Sequence, residues 1–253
     1  MSRRFSAVLF LCIFLGAAST QAAAAEIKVL SAVPLYPGVS QLAEQYKRTS
    51  GQDVVVQSVT TGDINRILSS NEPFDILITT TALVDQAAKD GRAIASTKTM
   101  IGRVGIGVIV RRSGATAPNI VTADALKQAV FAADAVVYNT AGSGQYVHSM
   151  FEKMGVTSQI QSKTTRPSNA AQTMGRIIEG KGNDIGFGLI SEIKPYEEKG
   201  VRFLGPLPTD LQNYTNYEAV ISTRSSAADA GREFIRFLTT AAANEVLTKT
   251  GVD

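Results

Sequence analysis

The sequence has one cysteine, Cys12, and one histidine, His148, among its 253 residues. Cys12 lies in an apolar N-terminal segment, so the rest of the chain has no thiol for a disulfide, for nucleophilic catalysis or for sulfur ligation of a metal. A single histidine also argues against a zinc site and against a histidine-based catalytic triad. We therefore expect a site that works without a metal or another cofactor.

A strong excess of one charge is also absent. The chain has 25 basic and 22 acidic side chains, and removal of an N-terminal segment that contains Arg3 and Arg4 leaves 23 against 22, a net charge of +1. The basic residues are scattered and form no stripe, which argues against nucleic acid as a partner.

Long hydrophobic runs are restricted to the first residues. The run "FSAVLFLCIFLGAA" follows two arginines and precedes "QAAAAE", which is typical of a cleavable signal peptide over residues 1–25. A membrane anchor is the alternative, but the run is short for a span. Leu11 precedes Cys12 where a lipoprotein site would have a small residue. We expect a soluble periplasmic protein without a lipid anchor.

The remaining sequence alternates short apolar runs with amphipathic helical segments. The runs "IKVLS", "DVVVQSV" and "FDILIT" are each followed by a helical pattern, which indicates a parallel sheet covered on both faces. A second unit of the same kind spans about 105–210, and an amphipathic helical segment, "AADAGREFIRFLTTAAANEVLTKTG", follows it. Two α/β units joined by extended segments suggest two lobes around a cleft.

Three clusters of glycines or hydroxyl residues stand where strands lead into helices: "SAVPLYPG", "TTGD" and "NTAGSGQY". Ligands bind beyond the carboxyl ends of strands in open α/β sheets, and helix N-termini there favour anions. Thr60, Thr61 and Gly62 are therefore candidates to bind an anion by hydrogen bonds. Alternatively, Thr61 caps the helix and Asp63 lies in its first turn as a partner for the helix dipole.

The chain resembles the periplasmic solute-binding proteins of ABC importers, and within them the molybdate-binding family. The resemblance rests on "IKVLSAVPL", "VTTGDINRIL", "PFDILITT", "GSGQYVHSMFEKMG" and "IRFLTTAAANEVLTKTG". It implies a two-lobed type 2 periplasmic binding protein fold, in which each lobe is a mostly parallel sheet flanked by helices. Lobe one would comprise 26–104 plus 213–253, and lobe two 105–212.

The resemblance also implies the residues that line the ligand cleft. They are Val33, Pro34, Thr60, Thr61, Gly62, Ser143, Gly144, Ala171 and Leu189. Pro34 and Leu189 stand where the family has hydroxyl side chains. Because a hydrogen bond to a charged group contributes roughly 1.5–3 kcal/mol, two missing donors would weaken molybdate binding by about 3–6 kcal/mol. A larger anion with an apolar body, such as a carboxylate, is the better expectation.

Two functions remain open from the sequence. One is a monomeric binding protein that closes on a small anion and docks on a membrane permease. The other follows from a resemblance to periplasmic aconitate isomerases, which use the same fold to interconvert cis- and trans-aconitate by proton transfer. That reaction needs a general base, and Tyr36, Tyr138 and His148 are the candidates. The sequence does not decide whether the protein is an enzyme.

Overall fold

The computed structural model describes residues 26–70, 72–113 and 117–253. The expected signal peptide, with Cys12, lies outside the described residues. The strands are β1 (Ile27–Ala32), β2 (Val54–Val59), β3 (Ile76–Thr80), β4 (Thr99–Arg111), β5 (Val136–Tyr138), β6 (Thr164–Thr165), β7 (Ile185–Leu189), β8 (Val201–Pro206) and β9 (Tyr214–Ile221).

The helices alternate with these strands along most of the chain. They are α1 (Tyr36–Ser50), α2 (Thr61–Ser69), α3 (Thr81–Lys89), α4 (Ala123–Ala132), α5 (Gly142–Lys153), α6 (Thr157–Ile160), α7 (Ala170–Glu179), α8 (Ile190–Ile193), α9 (Ala228–Leu238) and α10 (Ala241–Lys249). Within the described ranges, no helix combines the length and the apolar character that crossing a membrane requires.

The first group of strands, which we call lobe one, is built on β1. This strand runs parallel to both β2 and β3, and β9 pairs antiparallel with β3. Helices α2 and α3 cover one face through Ile64 and Val84. Helices α1, α9 and α10 cover the other through Leu42, Phe234 and Leu247. Burial on both faces explains why β1 and β3 are almost continuously apolar.

The second group, which we call lobe two, is built on β5 and β7. These strands are parallel to each other, β6 is parallel to β5, and β4 and β8 complete the sheet in antiparallel orientation. Phe151 of α5 packs edge-on against Phe187 of β7, with ring centroids 5.3 Å apart. Met174 and Ile177 of α7 fill the opposite face.

Strand β4 belongs to both lobes. Its residues Thr99 to Gly105 pair with β9, and its residues from Ile106 onwards pair with β7 and β8. The last residue of the chain, Asp253, exchanges two backbone hydrogen bonds with Arg103 in the lobe-one half of β4. The change of partner along β4 agrees with a lobe boundary near residue 105, although the exact boundaries stay a prediction.

The C-terminal helical segment is two helices, α9 and α10. The hydroxyl of Thr240 accepts a hydrogen bond from the N–H of Ala243 at 3.2 Å and so begins α10. A threonine in this position satisfies one of the free N–H groups at a helix start. The chain can therefore turn between α9 and α10 while both apolar faces remain on the lobe-one core.

Candidate anion-binding cleft

The register of β4 brings the strand ends of the two lobes face to face. Thr80, the last residue of β3, pairs with Tyr217 of β9, and Tyr217 pairs with Gly102 of β4. From the other lobe, Leu189 at the end of β7 pairs with Ile106. Four residues of strand span about 13 Å. The carboxyl ends of both sets of parallel strands point into this interval, which we call the interlobe cleft.

The start of α2 forms part of the lobe-one side of this cleft. Thr60, not Thr61, is the N-cap of the helix, and its hydroxyl accepts a hydrogen bond from the N–H of Asp63. The carboxylate of Asp63 in turn accepts from both the hydroxyl and the N–H of Thr60. These bonds hold the pKa of the Asp63 carboxyl below its usual value. Thr60 therefore has both of its hydrogen-bond donors engaged.

Thr61 and Gly62 are the exposed residues of the first turn of α2. Neither their N–H groups nor the Thr61 hydroxyl finds a partner within the described part of the chain. The turn after β1 lies next to them, because the N–H of Val33 donates to the carbonyl of Val59 at 3.3 Å. Val33 is exposed, and Pro34 has no N–H to offer. This wall therefore combines free donors with an apolar patch.

The start of α5 forms the facing wall in lobe two. No side chain caps this helix, and the N–H groups of Gly142, Ser143 and Gly144 find no acceptor among the described residues. A Cβ atom on Gly144 would overlap the backbone carbonyl of Asn139, so only glycine lets the helix approach the end of β5 this closely. The side chain of Asn139 holds the turn by accepting from the N–H of Ala141 at 2.9 Å. Free N–H groups at a helix start are typical of an anion site.

The two remaining predicted residues of lobe two differ in character. Ala171 lies exposed in the first turn of α7, where Asn169 caps the N–H of Gln172 and leaves the N–H of Ala171 free. Leu189 is buried and belongs to the apolar core. The structure thus places all nine predicted residues at the carboxyl ends of strands, in the turns that follow or in the first turns of the next helices, while their contact with a ligand stays a prediction.

Glu192 is a residue with an unusual carboxyl group that the sequence analysis missed. It lies in the first turn of α8, and burial alone raises the pKa of its carboxyl group to about 7. Burial also raises the pKa of the Tyr217 hydroxyl, and the negative charge of Glu192 raises it further. The two residues are therefore close enough for the charge of Glu192 to act on Tyr217. The segment "ISEIKPYEEKG" did not predict a carboxyl group with a raised pKa, because its charged residues are typical of a surface helix.

Arg166, which the sequence analysis also missed, follows the carboxyl end of β6. Its guanidinium lies over the ring of Tyr138, 5.1 Å from the centroid, and donates to the side chain of Gln145 in α5 at 3.2 Å. Its Nε is buried without an acceptor among the described residues. It therefore supplies a positive charge beside the first turns of α5.

None of the three candidate bases lies in the first turn of α2 or of α5, where the free N–H groups are. The hydroxyl of Tyr138 is bonded to Nδ1 of His148 at 3.1 Å, and Nε2 of His148 lies 3.6 Å from the Glu152 carboxylate. Burial raises the pKa of Tyr138, with Arg166 opposing the change. This chain of contacts runs along α5 away from its N-terminus. Tyr36 stands in the first turn of α1, partly exposed. No cluster of three or more metal-ligating side chains occurs in the described ranges.

Known protein sequences match this chain over most of its length. The family of bacterial extracellular solute-binding proteins matches residues 27–253. An aconitate isomerase from Pseudomonas sp. is 25% identical over 232 residues, which cover 89% of this chain and 87% of that protein. This sequence match extends through both lobes.

Solved structures confirm the expected two-lobed fold. The periplasmic molybdate-binding protein of Azotobacter vinelandii superimposes with a TM-score of 0.72 at 15% identity, over 90% of this chain and 98% of that one. A sulfate-binding protein from Mycobacterium tuberculosis gives 0.69 at 17% identity, over 90% and 86%. At these identities the likeness shows the fold alone.

Proposed function

We propose that this chain, which belongs to the bacterial extracellular solute-binding protein family, captures a small carboxylate anion in the interlobe cleft. The observation that carries the proposal is the uncapped start of α5 opposite the first turn of α2, each with unpartnered N–H groups. Helix N-termini of this kind bind anions, and Arg166 adds a positive charge on the lobe-two side.

The type of anion follows from the rest of the cleft wall. Pro34 and Leu189 offer no side-chain hydroxyl, and Val33 presents an exposed apolar surface. A tetrahedral oxyanion would leave that surface without a partner, whereas the carbon skeleton of a di- or tricarboxylate would cover it. The proposal also includes a periplasmic location after signal-peptide cleavage, a monomeric state and delivery of the ligand to an ABC permease.

Titration calorimetry with a panel of anions tests it. Trans-aconitate, cis-aconitate, citrate, succinate, sulfate and molybdate should be compared at one pH and ionic strength. The proposal requires that at least one carboxylate binds with one-to-one stoichiometry and more tightly than molybdate. Molybdate binding in the nanomolar range, or no heat with any carboxylate, would refute it.

A second candidate function is the interconversion of cis- and trans-aconitate. The 25% identity to an aconitate isomerase over both lobes favours it, and a carboxyl group with a pKa near 7 is suited to proton transfer. Incubation of the purified protein with each isomer, followed by chromatographic separation, tests this candidate. Binding without interconversion would support only the capture function.

A further inference from the structure

Within the described residues, the chain crosses between the two lobes at two places. Strand β4 is the first crossing, because Gly105 pairs with Tyr214 of β9 in lobe one and Ile106 pairs with Leu189 of β7 in lobe two. The second crossing is the segment 207–213, which leads from β8 back to β9. This segment forms neither a strand nor a helix, so contacts outside regular secondary structure must hold it in place.

The side chain of Gln212 joins the two crossings. Its Nε2 donates a hydrogen bond to the carbonyl of Ile106 at 3.0 Å, and its Oε1 accepts one from the N–H of Ile106 at 2.8 Å. The same oxygen accepts from the N–H of Asn213 at 2.9 Å. One amide group thus bonds both backbone groups of Ile106, as a residue of a neighbouring strand would do. Because Ile106 is buried, water cannot replace these bonds unless the structure changes.

Gly105 gives the Gln212 amide the space to approach β4. A Cβ on Gly105 would lie 3.2 Å from the Cδ and Nε2 atoms of Gln212 and 3.1 Å from the ring of Tyr214. These distances are below the roughly 3.5–4.0 Å of ordinary contacts between carbon atoms, so a larger residue would displace the amide. The glycine at the end of the lobe-one half of β4 therefore favours the bonds between Gln212 and Ile106.

Tyr146 links the second crossing to helix α5. It is the fifth residue of this helix, and its hydroxyl donates to the carbonyl of Leu211 at 3.0 Å. The ring of Tyr146 is partly buried against the core, which fixes the direction of the hydroxyl. Leu211 directly precedes Gln212. A continuous set of contacts therefore runs from the first turns of α5, where the free N–H groups are, through Leu211 and Gln212 to Ile106 of β4.

We propose that Gln212 and Tyr146 are positioning residues of the interlobe cleft. Through the Ile106 backbone and the Leu211 carbonyl they hold the second crossing against β4 and α5, and so set the orientation in which the start of α5 faces the start of α2. The proposal rests on the proposed function, because these two helix starts are its binding walls. A few loop residues that absorb dihedral changes are enough for two lobes to reorient, so loss of these bonds should release the second crossing.

The effect on affinity follows from the population of the binding orientation. An anion that contacts both walls binds only the molecules in which the walls face each other correctly, so the Kd rises in inverse proportion to their fraction. Release of the crossing to a fraction of about one tenth would raise the Kd about tenfold. A side chain with a structural role alone would change the free energy of unfolding and leave the Kd unchanged.

Three variants are compared with wild type. Gln212→Ala removes the amide, and Tyr146→Phe removes only the hydroxyl and keeps the packed ring. Gln161→Ala removes an exposed glutamine of lobe two and is the matched control. Calorimetric titration of the tightest carboxylate of the panel should give a Kd about tenfold above that of wild type in Gln212→Ala. The increase should be smaller in Tyr146→Phe and absent in Gln161→Ala.

A distance between the lobes provides a measurement without ligand. Spin labels are attached to Glu44→Cys in α1 and Lys153→Cys in α5, two exposed positions, with Cys12→Ser as the background. Pulsed electron paramagnetic resonance then gives the distribution of the distance between the labels. Gln212→Ala should broaden this distribution, Tyr146→Phe should broaden it less, and the control should match wild type.

The two measurements separate the possible results. An unchanged distance distribution in both Gln212→Ala and Tyr146→Phe would overturn the proposal. A broadened distribution with an unchanged Kd would also overturn it, because the crossing would then not position the binding walls. If Gln212→Ala does not fold, Tyr146→Phe decides the outcome. If wild type binds no anion, the proposed function fails, while the distance measurement still decides whether these bonds set the orientation of the lobes.

Discussion

Thr60 and Asp63 form a reciprocal pair at the start of α2, in which the threonine hydroxyl donates to the carboxylate at 2.7 Å and accepts from the Asp63 N–H at 3.2 Å. Replacement of Thr60 by alanine removes the cap and should lower the free energy of unfolding by about 1 kcal/mol. Thr61→Ala, in the first turn beside it, should leave stability unchanged. Urea unfolding of both variants checks this. Equal losses in the two would mean that the capping role is not confined to Thr60.

Gly144 and Asn139 make the closest approach between α5 and the end of β5. Gly144→Ala should destabilise the protein by about 1–3 kcal/mol, because the added Cβ overlaps the carbonyl of Asn139 and the helix must move. Gly142→Ala is the matched control, since a Cβ there meets no atom within 4 Å. Thermal and urea unfolding should show a lower stability for Gly144→Ala than for Gly142→Ala. Anion affinity should fall only in Gly144→Ala. Equal stability of the two would contradict the close packing of this turn.

The raised pKa of Glu192 makes the free energy of unfolding depend on pH. The folded protein binds this proton more tightly than the unfolded chain, whose glutamate pKa is near 4.5. Stability is therefore greatest below about pH 4.5, decreases as the pH rises toward 7 and is constant above it. The loss is at most about 3 kcal/mol.

Glu192→Gln should remove that loss. Its free energy of unfolding should exceed that of wild type at pH 8 by up to about 3 kcal/mol and match it near pH 4.5. Urea unfolding at both pH values is the measurement, with Glu198→Gln as the exposed control. A difference between wild type and Glu192→Gln that does not change with pH would show that the carboxyl group is not desolvated in the folded protein.

Arg166 should contribute positive charge to the cleft. Its bond to Gln145 holds it near the start of α5, and a hydrogen bond from a charged group to an anion contributes about 1.5–3 kcal/mol. Arg166→Gln should therefore weaken carboxylate binding by that amount and reduce the dependence of Kd on salt concentration. Arg176→Gln, on the exposed face of α7, should change neither. Unchanged affinity in Arg166→Gln would place the guanidinium outside the ligand's reach.

The alternation of strands and helices could be predicted from the sequence because it depends on local patterns. Apolar runs and amphipathic segments located both sheets, and the glycine and threonine clusters marked the helix starts. The pattern suggested Thr61 as the possible cap of α2, which is wrong, because Thr60 is the N-cap. Two adjacent threonines have the same capping chemistry, and only the backbone conformation of Thr60, which is extended, selects it.

Glu192 and Arg166 could not be found in this way because distant segments create their environments. Helix α8, which carries Glu192, packs against β4, and Gly251 near the C-terminus approaches Ile190 and Ser191 of α8, although both segments are far from α8 in sequence. Arg166 follows β6, a strand of two residues that is too short to give a periodic signal. Both side chains occur in polar stretches, so their sequence context resembles that of exposed charges.

Calorimetric titration of one carboxylate into wild type, Thr61→Ala and Ser143→Ala tests most directly whether both lobes bind the same anion. The account predicts one binding site per chain in all three proteins. Each substitution removes one hydroxyl donor, from opposite walls of the cleft, and should weaken binding by about 1–3 kcal/mol with stability unchanged. If neither variant changes the Kd, or if only one does, the anion is not held between the start of α2 and the start of α5, and the central claim is wrong.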